Sequence, residues 1–198
     1  MKTLHERLKP FYMAPVAFLI AAGLLTTCQQ SGPTIRRNPD PRKPISVEAA
    51  ITGAPGPIDT MRATAHYQIE NVMCVPVTGI EGVRKYQDYD VGLQVIRTGD
   101  RFQTTAMEDA LLDGDFYRQG VCHWELSIVT FIAQHGSRKY SASISPVGKY
   151  AKQTTRSYYS NESYRHPDAP ALESGLYDKA NYGNPEDTFH IDLLVKRP

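Results

Sequence analysis

The sequence predicts an all-β or β-rich α+β domain built as an antiparallel β-sandwich of about six to seven strands. Three observations point there. Apolar and polar residues alternate with a period of two through several short stretches. Turn signals such as Arg97-Thr98-Gly99-Asp100 and His135-Gly136-Ser137-Arg138 separate these stretches. No window of a dozen residues carries a convincing helical period.

Taken in order, residues 63–70 place Ala65, Tyr67 and Ile69 on one face and His66, Gln68 and Glu70 on the other. Residues 90–96 turn Val91, Leu93 and Val95 inward. The turn at 97–100 leads into 101–107, which predicts a hairpin between the two segments. Residues 105–113 suit one short helix or turn. Residues 123–133 put Trp124, Leu126, Ile128 and Ile132 on one face. Val129 and Phe131 fill the other, so this strand is predicted to be central. In 139–147, Tyr140, Ala142 and Ile144 alternate with Ser141, Ser143 and Ser145, the pattern of a half-solvated antiparallel strand. The last strand, 188–196, turns Phe189, Ile191, Leu193 and Val195 inward. No internal repeat is visible.

The N-terminal region has a different character. Lys2, Arg7 and Lys9 precede an uncharged run from Phe11 to Thr27, at the short limit of what crosses a bilayer. A basic start and a short apolar core are the build of a secretory signal, with an uncleaved anchor as the alternative. The run ends in Leu25-Thr26-Thr27-Cys28, which resembles the bacterial lipobox. That resemblance implies a signal peptide over residues 1–27, cleavage before Cys28 and lipid on Cys28. Thr27 departs from the small residue usual before the cysteine. Gln29, rather than Asp, follows it, which by the same resemblance implies the outer membrane, periplasmic side. Each buried CH₂ of an acyl chain contributes about 0.8 kcal/mol, so several chains hold firmly. Residues 28–58 are rich in proline (33, 39, 41, 44, 55 and 57) and predict an extended tether, with Val47–Ile51 able to pack locally. The folded domain is then expected over 59–198.

Composition narrows the function. The first 27 residues hold three of the 22 Lys and Arg and one of the 21 Asp and Glu, which leaves 19 against 20. Such a balance gives no basic excess for nucleic acid. Three cysteines are present. With Cys28 lipidated, Cys74 and Cys122 remain as an even pair in an oxidising compartment and predict one intramolecular disulfide. It would close a loop of about 49 residues and contribute ~4 kcal/mol in the chain-entropy account. A reactive Cys122 beside His123 is the competing reading, although strand neighbours point to opposite faces.

Enzyme signatures are missing: no G-x-S-x-G, no H-E-x-x-H, no C-x-x-C and no phosphate-binding glycine loop. The histidines, at 5, 66, 123, 135, 166 and 190, show no metal-ligand spacing. No enzyme activity and no cofactor are expected. Two clusters are candidates for binding a partner. Glu108, Asp109, Asp113 and Asp115 crowd one loop, next to Tyr117. Their spacing does not fit a calcium loop. They are either solvated loop charge or an acidic protrusion aimed at a basic or metal-bearing cleft. Seven tyrosines lie between Tyr140 and Tyr182, with Tyr158, Tyr159 and Tyr164 set among Arg and Asn. They either pack on the sheet or form an interface.

The stretch Gly120-Val121-Cys122-His123-Trp124-Glu125-Leu126, following the acidic Ala110–Tyr117 loop, resembles small lipoproteins found beside toxin genes of bacterial contact-dependent (type VI) secretion systems. The resemblance covers roughly Tyr86 to Ser127 and the lipobox. It implies a periplasmic immunity protein that covers the active site of a secreted lipase or cell-wall toxin, and it carries over no individual inhibitory residue. The alternatives are a structural or assembly lipoprotein of the envelope, or an envelope hydrolase with a dispersed site.

Overall fold

A computed structural model describes residues 34–78, 82–84 and 88–197. The signal-like run and Cys28 lie outside these residues. In chain order the strands are β1 (Pro44–Thr52), β2 (Thr60–Ile69), β3 (Val77–Thr78), β4 (Val83–Arg84), β5 (Tyr89–Leu93), β6 (Ile96–Thr98) and β7 (Arg101–Met107). After these come β8 (Trp124–His135), β9 (Arg138–Ile144), β10 (Thr154–Ser160), helix α1 (Asn161–Arg165), β11 (Ala171–Glu173) and β12 (Thr188–Lys196).

Ten strands form two sheets, ordered β10-β12-β1-β7-β6 and β11-β9-β8-β2-β5, and β3 pairs with β4 separately. Among the described residues, every pairing of these strands is antiparallel except β11 with β9. The inner faces of both sheets feed one core. Val47, Ile191 and Leu193 come from the first sheet, and Tyr67, Phe131 and Tyr140 from the second. This is the predicted antiparallel sandwich, with more strands than the six or seven expected. Among the described residues, no helix is long and apolar enough to cross a membrane.

The predicted tether is corrected over much of its length. β1 sits at the centre of its sheet, between β12 and β7, and Ile45, Val47 and Ala49 are buried. Pro44 occupies the first strand position, where no ladder bond is lost, and the other prolines flank the strand. Residues 36–38 are also held: Leu112 N–H donates to Arg36 O at 2.9 Å and Asn38 N–H to Ala110 O at 2.8 Å. The folded unit therefore starts well before residue 59.

Two local expectations change for physical reasons. The predicted hairpin between 90–96 and 101–107 is split. β5 pairs with β2 in one sheet, while β6 turns through Gly99 (φ 62°) to pair with β7 in the other. In β8 the inward face changes phase. Leu126 is buried, but beyond it Val129, Phe131 and Ala133 are buried and Ile128 and Ile132 face outward. The register with β2 slips between His66 and Tyr67, which oppose Ile128 and Leu126, so Ser127 is an extra residue in a β-bulge. Of the short helix or turn expected at 105–113, the turn forms, directly after β7 ends at Met107.

The predicted disulfide is present. Cys74 and Cys122 are bonded, with Cα atoms 5.4 Å apart. They form a second, smaller core with Ile69 and Val75, against which Phe116, Tyr117 and Trp124 pack.

Candidate functional site

The acidic loop between β7 and β8 is anchored at both ends. Asp109 accepts the N–H groups of Arg42 at 2.9 Å and Lys43 at 3.1 Å. Burial pushes its pKa up, and these N–H donors outweigh that, so the carboxyl sits below the usual carboxylate range. Asp113 accepts the Trp124 N–H at 2.9 Å and pairs with His123 Nδ1 at 2.7 Å. Gly114 and Cys122 exchange both backbone hydrogen bonds, which ties the loop to the disulfide. Asp115 accepts the Gln119 N–H at 3.0 Å and so closes the tip.

These bonds place Glu108, Asp109 and Asp113 on the wall of an open cleft of about 470 Å³. Two further carboxylates, Glu70 and Glu125, come from β2's end and from β8. Lys43 is the one cationic side chain among the residues lining it, and Trp124 and Leu126 supply its apolar part. Gln68 opposes Glu125 in the ladder, so Glu70 is the diagonal neighbour of Glu125. Burial, and then the charge of Glu70, raise the Glu125 pKa. Gly148 (φ 78°) lies against the Glu125 carboxylate, so close that any Cβ there would collide with it. The backbone at 148 thus forms a wall of the cleft.

Such a cleft attracts cations. Five carboxylates against one lysine give a strong local negative potential, focused by the apolar walls. Among the described residues, no group of three or more His, Cys, Asp or Glu side chains is arranged to hold a metal ion.

The sequence candidates divide as follows. Glu108, Asp109 and Asp113 reach the cleft; Asp115 and Tyr117 do not line it. Asp115 is exposed at the loop tip, and Tyr117 packs on the disulfide core. Tyr159 and Tyr164 are corrections. Tyr159 has no exposed surface, stacks on Phe189 with centroids 5.1 Å apart and donates its hydroxyl to Ser141 O at 2.8 Å. Tyr164 is buried, stacks on His135 at 4.0 Å and donates to Pro57 O at 2.5 Å. Neither side chain is free to meet a partner. The period-two placement of Tyr159 on the inner face of a strand was the available signal, masked by the aromatic cluster around it. Tyr158 is half-buried on the outer face, beside His190. Glu70 and Glu125 were missed because each is an ordinary outward strand residue until the bulge and the 145–150 loop bring them to the acidic loop.

No family model, curated protein or solved structure matches the chain.

Proposed function

We propose that this chain is an envelope-anchored binding protein of the immunity type, lipidated at Cys28 and held on the periplasmic side of the outer membrane, which neutralises a secreted toxin by covering its active site. The observation that carries this reading is the convergence of five carboxylates in one cleft beside the disulfide. A cleft built on anchored loops binds with little ordering cost, and its charge speeds encounter with a basic surface. The basic element it receives lies on the toxin, beside the cleft that the toxin uses for its own substrate. Catalysis by this chain is not part of the reading.

The test is neutralisation. The full chain is co-expressed in the periplasm with candidate toxins encoded beside its gene, and cell survival is scored. The expected result is rescue by the wild type and loss of rescue with Glu125→Lys combined with Asp113→Lys, the protein remaining folded and membrane-associated. Rescue that survives both charge reversals places the inhibitory surface elsewhere. Failure to rescue against any such toxin overturns the immunity reading.

A further inference from the structure

The carboxylate cleft is one end of a longer trough. It shares Glu125, Val147 and Gly148 with a second cleft of about 280 Å³. That one shares Ile128, Ser145 and Tyr150 with a third, of about 320 Å³. The β-bulge at Ser127 lies in the middle of the path, where it turns both Ser127 and Ile128 to the outer face.

Charge changes sign along this trough. Beyond Gly148 the wall carries Lys149 and then Lys152. Lys149 Nζ lies 5.4 Å from the Tyr150 ring centre and Lys152 Nζ 5.5 Å from that of Tyr177. Both tyrosines are 73% exposed, far more than a packing role on the sheet requires.

The third cleft also offers backbone. Ser141 O accepts from the Tyr159 hydroxyl and Ser145 O from the Lys152 N–H, both at 2.8 Å. Peptide groups alternate in direction along a strand, so Ser141, Ser143 and Ser145 all turn theirs away from β8. β11 covers β9 only from Arg138 to Tyr140. Ser143, which lines the third cleft, thus presents its N–H and C=O to the open side, with no partner there among the described residues.

We propose that this trough binds an extended polypeptide segment of bipolar charge, its basic side chains over the carboxylate cleft and its acidic ones beside Lys149 and Lys152. The proposal rests on the cleft reading above and names the kind of partner segment the site takes. A uniformly charged polymer is repelled at one end, whereas a chain with opposite charges at its two ends is favoured throughout. The open peptide group of Ser143 offers one pair of main-chain hydrogen bonds to a segment lying in the trough. Tyr150 and Tyr177 supply broad amphipathic contact at low entropic cost.

Fluorescence anisotropy tests this on the detergent-solubilised full chain with its disulfide intact. The probes are fluorescein-labelled peptides of about twelve residues, about 40 Å when extended. Two carry Arg at one end and Glu at the other, in either order along the chain; two controls carry only Arg or only Glu. One bipolar order is expected to bind about tenfold more tightly than either control, which corresponds to about 1.4 kcal/mol. Lys152→Glu or Tyr177→Ala, both at the far end of the trough, should abolish that advantage; the Arg-only peptide keeps its affinity for the Tyr177→Ala variant and binds the Lys152→Glu variant more tightly. Glu125→Lys should weaken both. Equal binding of the Arg-only and bipolar peptides overturns the trough and leaves the cleft standing alone. Binding by none of the peptides also overturns it, while the neutralisation assay still reports separately on the immunity reading.

Discussion

Lys196 donates a hydrogen bond to the Glu48 carboxylate at 2.6 Å, and the two lie 148 positions apart in the chain. Arg101 holds the other carboxylate oxygen. Glu48 lies in the central strand β1 and is only 8% exposed, while its partners reach across from β12 and β7. The hydrogen bond from Lys196 first, and then that from Arg101, outweigh burial and hold the Glu48 pKa below the usual carboxylate range.

Glu48→Gln should therefore lower stability by about 1 kcal/mol at pH 7, because both cations have exposed heads that water screens. A depressed carboxylate contributes stability above its unfolded pKa of about 4.3 and loses it as pH falls through the folded value. Urea unfolding of wild type and variant should converge as pH drops below about 4. A constant gap down to pH 2 would contradict this.

Glu125→Gln should act in the opposite sense. Burial and Glu70 raise the Glu125 pKa, so its contribution is fullest below the unfolded value and is lost as pH rises through the folded one. The variant should melt at or above the wild-type temperature at pH 7, with no gain at pH 4. Calorimetry at the two pH values reads this directly.

Removing the disulfide by Cys74→Ser with Cys122→Ser should cost about 2–4 kcal/mol. Loosening should concentrate in the small core of Ile69 and Val75 and in the loop that Gly114 and Cys122 tie together. Amide exchange should accelerate around 71–75 and 113–124 more than in β12. Uniform acceleration throughout would mean that the two cores unfold as one.

Tyr158 and Tyr159 should differ sharply. Tyr159→Ala empties a fully buried ring site and should cost about 3–5 kcal/mol. Tyr159→Phe removes the hydroxyl that donates to Ser141 O, worth about 1 kcal/mol. Tyr158→Ala, on the outer face, should cost under about 1 kcal/mol. Thermal melts of the three variants rank them.

Deletion through Thr52 should abolish the fold, since β1 is flanked on both sides by β12 and β7. Circular dichroism and proteolysis measure the loss. A stable, protease-resistant fragment beginning at residue 59 would refute the central placement of β1.

Where one strand's own residues decided the outcome, the sequence was legible. Ala65, Tyr67 and Ile69, the alternating 140–144 segment and the 189–195 segment all point inward as their period of two requires. β8 is central, as apolar residues on both faces demand. The sole even pair of cysteines after Cys28 forms the disulfide. β1 was hidden because flanking prolines dominate its neighbourhood, although the eight residues after Pro44 contain none.

The β class, the inward faces of the regular strands and the cysteine pairing follow from side-chain periodicity and composition, which each stretch of chain carries within itself. The fold itself settles which strands share a sheet, where Ser127 interrupts the register, and that Glu70 and Glu125 join Glu108, Asp109 and Asp113 around one cleft. Those outcomes depend on pairings between residues far apart in the chain, and a single strand's pattern carries no record of its neighbour.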